Sequence, residues 1–195
     1  MRRGIPLLRS DNDRTSTSLR LSMTTAFNRW IPFCGANTKE KLSQLAPRGD
    51  SDVYIWRASY LPALNVDSQF VQDPDQNFDM LRFGLREWKS LRKYLLKDFY
   101  VHTPWHSEQD RSGFTAYSFF DPDEEKGVLL MFRMEACGLD TLCVKLNYAV
   151  ASANYRLTDA DSGETEEVSG AELLSGKTFK LAEKRTSRLI RIEKC

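Results

Sequence analysis

The stretch GFTAYSFFDPDEEKGVLLMFRM, residues 113–134, decides the fold class of the second half of this chain. Residues Gly113–Phe120 alternate with a period of two, which is typical of a β-strand. Asp121–Gly127 is rich in residues that break regular structure and form turns. Val128–Met134 is then predicted to be the return strand. A strand, a short turn and a return strand together indicate antiparallel β-structure.

Short strands with turns between them continue to the end of the sequence. The further predicted strands are Thr141–Tyr148, Asn154–Thr158, Thr178–Leu181 and Arg188–Glu193. The second half thus holds about six short strands at near-regular spacing, which indicates an antiparallel β-sandwich.

The first hundred residues instead read as alternating strands and helices. Apolar runs predict buried strands at Ile5–Leu8, Trp30–Gly35 and Val53–Ala58. Thr15–Thr25 is predicted to be a weak helix or a loop, and Thr38–Asp50 a loop. The residues alone therefore predict an α/β segment followed by a β-sandwich.

The most strongly predicted helix is Phe78–Tyr100, because its apolar side chains recur at helical spacing on one face. These side chains are Phe78, Leu81, Leu85, Trp88, Leu91 and Leu95. Asp75 and Asn77 are candidate N-caps. The opposite face carries arginine and lysine, but Glu87 and Asp98 interleave with them. We interpret that face as solvated rather than as a nucleic-acid surface.

Composition argues against several classes of protein. The chain has 28 Lys and Arg residues against 27 Asp and Glu residues. This balance argues against a nucleic-acid or membrane-surface partner, which would favour a basic excess. The sequence contains neither a signal peptide nor an apolar run of membrane-spanning length. The four cysteines form no Cys-x-x-Cys pair. We interpret them as reduced thiols, which favours a cytoplasmic protein. The sequence gives no other indication of the cellular location.

Two carboxylates follow the first predicted strand. Asp11 and Asp13 come directly after Ile5–Leu8, and a barrel enzyme presents its catalytic acid at such a place. A carboxyl group there, partly removed from water, can deliver a proton to a leaving oxygen. The alternative, which the spacing alone favours, is that these residues and Ser10 cap the segment that follows. The sequence alone leaves both interpretations open.

No metal or cofactor is predicted. His102 and His106 have the spacing of a metal-ligating pair on a helix, but Pro104 between them breaks the helix that such a pair needs. The sequence has no Gly-x-Ser-x-Gly nucleophile motif and no Gly-rich phosphate loop.

Six stretches in chain order carry a resemblance to a known family. They are Arg2–Asp11 (RRGIPLLRSD), Phe27–Gly35 (FNRWIPFCG), Tyr54–Leu64 (YIWRASYLPAL), Lys97–Trp105 (KDFYVHTPW), Tyr155–Asp159 (YRLTD) and Ser169–Leu174 (SGAELL). Together they resemble the C-terminal part of the melibiase-type α-galactosidases, glycoside hydrolase family 36. Between these stretches the chain departs from the family at Ser22–Ala26, where a Gln or Tyr-Gly element is usual.

The resemblance implies an α+β chain with two parts. Residues 1–105 would be the terminal part of a (β/α)8 catalytic barrel, and residues 106–195 a C-terminal antiparallel β-sandwich domain. Asp11 would be the acid/base residue, with Asp13 in reserve. Trp30, Trp56 and Arg57 would lie near the sugar pocket.

The resemblance also implies an incomplete active site. The nucleophilic aspartate of the family follows a Lys-x-Asp-like motif on an earlier strand, and no such strand is found here. We therefore expect a C-terminal portion of a retaining α-galactosidase that acts on terminal α-galactosides but is inactive as this chain. Its partners would be an α-galactoside oligosaccharide and the N-terminal part of the same enzyme. The alternative is a non-catalytic carbohydrate-binding or structural β-sandwich module.

Overall fold

A computed structural model describes residues 17–29, 36–37, 52–66 and 77–195. Its elements in chain order are α1 (Thr17–Phe27), β1 (Ala36–Asn37), α2 (Val53–Ala58), β2 (Leu64–Asn65), α3 (Phe78–Leu95), β3 (Asp98–Val101), β4 (Phe114–Asp121), β5 (Lys126–Arg133), β6 (Thr141–Val144), β7 (Asn154–Asp159), β8 (Thr165–Ser169), α4 (Gly170–Ser175), β9 (Lys177–Lys180) and β10 (Thr186–Lys194). The chain divides into two compact units. We call residues up to 96 with 107–109 the helical unit, and residues 97–106 with 110–195 the β unit.

The β unit is built on a six-stranded antiparallel sheet with the order β3-β4-β5-β10-β7-β8. The strands predicted from residues 113–134 pair directly, from Phe114 opposite Arg133 to Asp121 opposite Lys126. The turn between them is closed by the Asp121 carboxylate, which accepts a hydrogen bond from the Asp123 N–H. The predicted α+β class with mainly antiparallel pairing is therefore confirmed.

A second, smaller layer covers one face of this sheet. It contains the two-stranded antiparallel sheet of β6 and β9. Residues from both layers form one hydrophobic core, in which Leu129 and Ile190 of the large sheet pack with Val144 and Phe179 of the small one. The second layer has two strands beside α4, so the β unit corresponds only in part to the predicted sandwich.

A buried arginine holds the edges of the two layers together. The Arg133 guanidinium donates to the backbone carbonyls of Leu181 at 3.0 Å and of Cys137 at 3.1 Å, and also to that of Ala182. Because a buried guanidinium needs acceptors for its N–H groups, these three carbonyls fix the loops that enter and leave the second layer.

Strands β4 and β5 are buried on both faces, although the alternating sequence predicts one solvated face. All eight residues of Phe114–Asp121 are buried, as are seven of the eight residues of Lys126–Arg133. Apolar residues therefore occupy the positions that a two-layer sandwich would leave to polar residues.

Three elements of the β unit, β3, β8 and α4, were not predicted. The edge strand β8 (TEEVS) is exposed at every residue except Val168, so its sequence lacks an apolar alternation. The single-turn helix α4 begins at Ser169, whose hydroxyl accepts the Glu172 N–H, and ends at Gly176, whose φ of 123° few other residues adopt. The predicted helix Phe78–Tyr100 also ends earlier, at Leu95, because Asp98–Val101 pairs with β4 instead.

In the helical unit, the strand predicted at Val53–Ala58 is wrong, because this segment is helix α2. The Asp52 carboxylate caps it by accepting the Ile55 N–H at 2.9 Å. Residues Tyr54–Ala58 are all buried, so the segment has no polar face to reveal a helical period. A short apolar run of this kind does not distinguish a buried strand from a buried helix.

The predicted barrel is not shown by the described residues. The helical unit holds one pair of strands in this part of the chain, β1 and β2, which pair in parallel over two residues each. The strands predicted at Ile5–Leu8 and Trp30–Gly35 and the loop Thr38–Asp50 lie outside the described residues. Helix α3 confirms the predicted helix over most of its length, and helix α1 occupies most of the segment for which a weak helix or a loop was predicted. None of the described helices has the length and apolar character needed to cross a membrane.

Candidate functional site

The site residues predicted from the sequence fall into two groups. Asp11, Asp13 and Trp30 lie outside the described residues. Trp56 and Arg57 lie on α2 in the helical unit, and their exposed fractions are 0% and 1%. The structure therefore shows the surroundings of these two side chains, while their role as sugar contacts stays a prediction.

Arg57 is held by a carboxylate from the following helix. Its Nε and Nη2 atoms donate to the two oxygens of Glu87 at 3.1 and 2.9 Å, which forms a two-point ion pair. The Tyr60 hydroxyl donates to the same carboxylate at 2.8 Å. The Glu87 side chain is only 9% exposed. The pair thus lies in a region of low water content, where each charge requires the other.

Trp56 packs against the glycine of helix α3. A Cβ atom built on Gly84 would lie 2.2 Å from two carbons of the indole, so only glycine permits this approach. Four residues further along the same helix, the Trp88 indole N–H donates to the Leu61 carbonyl at 2.9 Å. Helix α3 therefore fixes α2 and the segment after it through an aromatic contact and a hydrogen bond.

Helix α1 adds a second buried cation to this unit. Arg20 is 2% exposed, and its guanidinium donates to the Ser59 hydroxyl at 3.2 Å. That hydroxyl donates in turn to the Ile55 carbonyl at 2.8 Å. A helix with buried Thr, Ser and Arg side chains is unusual for a core, because each polar group must find a partner. We call Arg20, Arg57, Ser59, Tyr60 and Glu87 the polar cluster.

Sequence reasoning missed Glu87 and Tyr60 as members of the polar cluster. Glu87 was interpreted as part of a solvated helix face, yet it is the partner of Arg57 30 residues earlier. The only available signal was the position of Glu87, which follows Gly84 by three residues and so shares its helix face. Arg57 and Glu87 hold their charges in an internal pair, and Arg20 bonds a neutral hydroxyl, so the cluster is arranged to position the backbone rather than to transfer protons.

The β unit contains a buried histidine–serine contact. His102 Nε2 lies 2.8 Å from Ser118 Oγ, and the Lys145 carbonyl accepts a hydrogen bond from the same ring. Burial lowers the pKa of His102 to about 4, although the bond to Lys145 acts in the opposite sense. The neutral ring donates to Lys145, so Nε2 accepts the proton of Ser118. Ser118 is fully buried, which excludes it as a nucleophile toward a dissolved substrate.

The second histidine has a different partner. His106 Nδ1 lies 2.9 Å from an oxygen of Asp110, whose other oxygen accepts the Ser112 N–H and hydroxyl. The hydrogen bonds from His106 and Ser112 hold the pKa of Asp110 well below its usual range. The two imidazoles thus serve separate contacts. Within the described residues, no three His, Cys, Asp or Glu side chains form a group that could hold a metal ion.

No family model matches the chain, and no curated protein matches it. Several solved structures, however, are similar to this chain. One is the galactosidase domain of the α-galactosidase-sucrose kinase AgaSK, with a TM-score of 0.72 and 14% identity over 95% of this chain and 25% of that chain. Another is a doubly substituted variant of the GH36 α-galactosidase AgaA from Geobacillus stearothermophilus in complex with raffinose (TM-score 0.70, 15% identity, the same coverage). The α-galactosidase from Lactobacillus brevis is similar too, with a TM-score of 0.72 and 14% identity over 95% of this chain and 26% of that one.

These similarities establish the fold of the chain. It has the fold of the C-terminal part of the GH36 α-galactosidases, as the sequence resemblance implied. The chain spans about a quarter of the length of the solved structures it matches.

Proposed function

We propose that this chain is the C-terminal portion of a retaining α-galactosidase-like glycoside hydrolase that acts on terminal α-galactosides. The observation that carries the proposal is the agreement in fold with α-galactosidases over 95% of the chain. The collinear sequence stretches from Arg2–Asp11 to Ser169–Leu174 support it independently, because they point to the same part of the same family.

In this proposal Asp11 is the acid/base residue and Asp13 its reserve. A retaining glycosidase uses two carboxyl groups about 5–5.5 Å apart, of which one attacks the anomeric carbon and the other protonates the leaving oxygen and later activates water. The resemblance assigns the second role to Asp11. It places the attacking aspartate on an earlier strand, so the 195-residue chain alone is expected to be inactive.

The proposed pocket residues take different roles. Trp30 is the proposed direct sugar contact, because an indole face packs well against the apolar side of a pyranose ring. Trp56 and Arg57 are proposed residues of the same pocket. Since Arg57 is bound at two points by Glu87, it acts through the position of α2 rather than as a freely reorienting donor.

The test is an assay of two proteins on a chromogenic α-galactoside. One is the 195-residue chain, and the other is the product of the reading frame extended upstream of Met1 until a strand with a Lys-x-Asp motif is included. We expect turnover by the longer protein and none by the chain alone. Asp11→Ala in the longer protein should abolish turnover, and Asp13→Ala is the matched control that should retain most of it.

Each remaining outcome contradicts a stated part of the proposal. Turnover by the chain alone that is lost in Asp11→Ala would show that the chain is catalytically sufficient. Loss in Asp13→Ala with retention in Asp11→Ala would exchange the two assignments. A longer protein that folds but cleaves no α-galactoside would leave the non-catalytic carbohydrate-binding module as the function.

A further inference from the structure

A cleft opens on the core-facing side of the large sheet in the β unit. Its volume is about 470 Å³, which lies within the range of small-molecule sites. Leu157 of β7 and Ile190 of β10 lie at its base, but each is only 2% exposed, so the surface that a ligand would meet is mainly polar. The covering layer has two strands against six in the main sheet, so the region near the β8 edge is left open.

An ion pair forms one wall of this cleft. Arg188 Nε donates to Asp159 Oδ2 at 2.5 Å, and the other Asp159 oxygen accepts the N–H groups of Asp161 and Ser162. Burial raises the pKa of Asp159, but the hydrogen bonds from Arg188 and these two N–H groups outweigh it, so the pKa lies below its usual value. Asp159 therefore stays ionised and fixes the direction of Arg188.

Arg188 retains donors that can reach a ligand. Besides the bond to Asp159, its Nη1 donates to the Lys180 carbonyl at 3.3 Å. A guanidinium carries five N–H donors in a rigid planar arrangement, so these two contacts leave part of it available. The side chain is 30% exposed, and its guanidinium lies 5.8 Å from the Phe179 ring centroid. The group is thus positioned by its neighbours while it faces the opening.

The opposite wall is acidic but mostly compensated. Glu166 lies directly opposite Leu157 across the β7–β8 pairing, and its carboxylate is 2.9 Å from the Lys177 ammonium. Glu164 contributes a further carboxylate to the lining. Of the three carboxylates of the cleft, Asp159 is therefore paired with Arg188, and Glu166 is paired with Lys177, which lies outside the lining. Such a site presents many donors and acceptors with little net charge.

A second concavity continues beyond the ion pair. Its volume is about 350 Å³, and it shares Asp159, Glu164 and Arg188 with the first. A ligand longer than one ring could therefore contact the same three side chains from both sides.

We propose that this cleft is a binding site for a neutral oligosaccharide, whose hydroxyls are bonded by Arg188, Glu164 and Glu166. Sugar hydroxyls both donate and accept hydrogen bonds, which fits a polar lining that offers guanidinium donors beside carboxylate acceptors. A charged ligand would instead favour a site whose charged side chains are not paired with opposite charges. This inference rests on the proposed function in one respect only, which is the choice of α-galactosides as the first ligands to test.

The test is a titration of the full ¹⁵N-labelled chain with raffinose and with methyl α-galactoside, followed by amide NMR shifts. Shifts should concentrate at residues 157–166 and 188–190 and saturate with a Kd on the order of 1 mM. Glu164→Ala and Arg188→Met should each raise the Kd by about fivefold or more, since each removes one hydroxyl contact. Glu193→Ala, on the face of the same sheet opposite the hydrophobic core, is the matched control and should leave the Kd unchanged.

The Glu164 variant keeps the test decisive if Arg188→Met fails to fold, because Glu164 is an exposed residue of the β7–β8 turn. No amide shift in this region at about 20 mM sugar would overturn the proposal. Equal affinity of Glu164→Ala and the unmodified chain would do the same. Stronger shifts with ethylammonium than with raffinose would show a cation site instead. These NMR results do not depend on turnover, so they separate this inference from the proposed catalytic function.

Discussion

Gly84 lies so close to Trp56 that the indole fills the space where any other residue would carry its side chain. A Cβ atom at this position would stand 2.2 Å from the indole carbons Cδ2 and Cε3. Both residues are buried, and each belongs to a different helix of the helical unit. This contact therefore sets how closely α2 and α3 approach each other.

The first prediction concerns Gly84→Ala. In an exposed helix interior, alanine in place of glycine stabilises by up to about 1 kcal/mol. Here the added methyl group must displace a buried indole, and such overpacking costs about 1–3 kcal/mol. We expect a net loss of stability of the helical unit, measured by urea denaturation followed by Trp fluorescence. Arg86→Ala on the exposed face of α3 is the control, and a stabilising effect of Gly84→Ala would disprove the close contact.

The second prediction concerns the buried pair of Arg57 and Glu87. Glu87→Ala leaves the Arg57 charge without its partner, and breaking a buried ion pair in this way costs about 3–5 kcal/mol. The double variant Arg57→Met/Glu87→Ala should recover a large part of that loss, because it removes both buried charges. Denaturant titrations of the two single variants and the double variant give the coupling energy. Additive losses would show that the two side chains do not interact.

The sequence predicted the β unit better than the helical unit, and the reason lies in what each pattern encodes. Residues 114–133 form two strands and a turn. The alternation that predicts the strands and the residues that predict the turn are both visible in the local sequence. Tyr54–Ala58 of helix α2 is buried at every position, so this segment shows neither the period of a helix nor that of a strand. Its helix is determined by the Asp52 cap and by packing on α3, which only the folded chain supplies.

The candidate sites were harder to predict than the strands. The bond between Arg57 and Glu87 joins residues 30 positions apart, and no local pattern specifies it. The cleft of the β unit likewise combines Asp159, Glu166 and Arg188 from three strands. Each residue alone resembles an ordinary surface charge. Such sites depend on strand order and register, which periodicity does not determine.

The third prediction concerns the pH dependence of the β unit. The pKa of His102 is lowered to about 4 by burial, against an ordinary value near 6.5. Between these values the unfolded chain binds a proton that the folded chain does not, so stability is present above pH 6.5 and is lost as the pH falls. From pH 7.5 to pH 5 the loss should be about 2 kcal/mol.

The measurement is urea denaturation of the chain between pH 5 and pH 7.5, with His102→Gln as the variant that removes the titration. Glutamine retains a donor and an acceptor for Lys145 and Ser118, so its stability should vary less with pH. The His102 ring resonance should titrate near pH 4 in the folded chain. A ring that titrates near pH 6.5 would contradict the buried, neutral imidazole.

The fourth prediction concerns a row of alternating charges on the face of the large sheet opposite the hydrophobic core. Lys126, Glu193, Arg156 and Glu167 lie opposite one another across β5, β10, β7 and β8. Lys126 Nζ is 2.5 Å from Glu193, while Arg156 is 3.9 Å from both Glu193 and Glu167. The four side chains are between 40% and 65% exposed, so each ion pair is expected to contribute less than about 1 kcal/mol.

Glu193→Gln removes two links of this row while it keeps the shape of the side chain. We expect a loss of about 0.5–1 kcal/mol at low ionic strength, and about half of that or less in 0.5 M NaCl, where the screening length is only a few Å. Glu183→Gln, an exposed residue of the loop before β10, is the matched control for removal of one negative charge. The measurement is the urea midpoint of each variant and of the unmodified chain at both salt concentrations. A loss that does not change with salt would mean that Glu193 stabilises the sheet by packing rather than by charge, because salt leaves contacts between uncharged atoms largely unscreened.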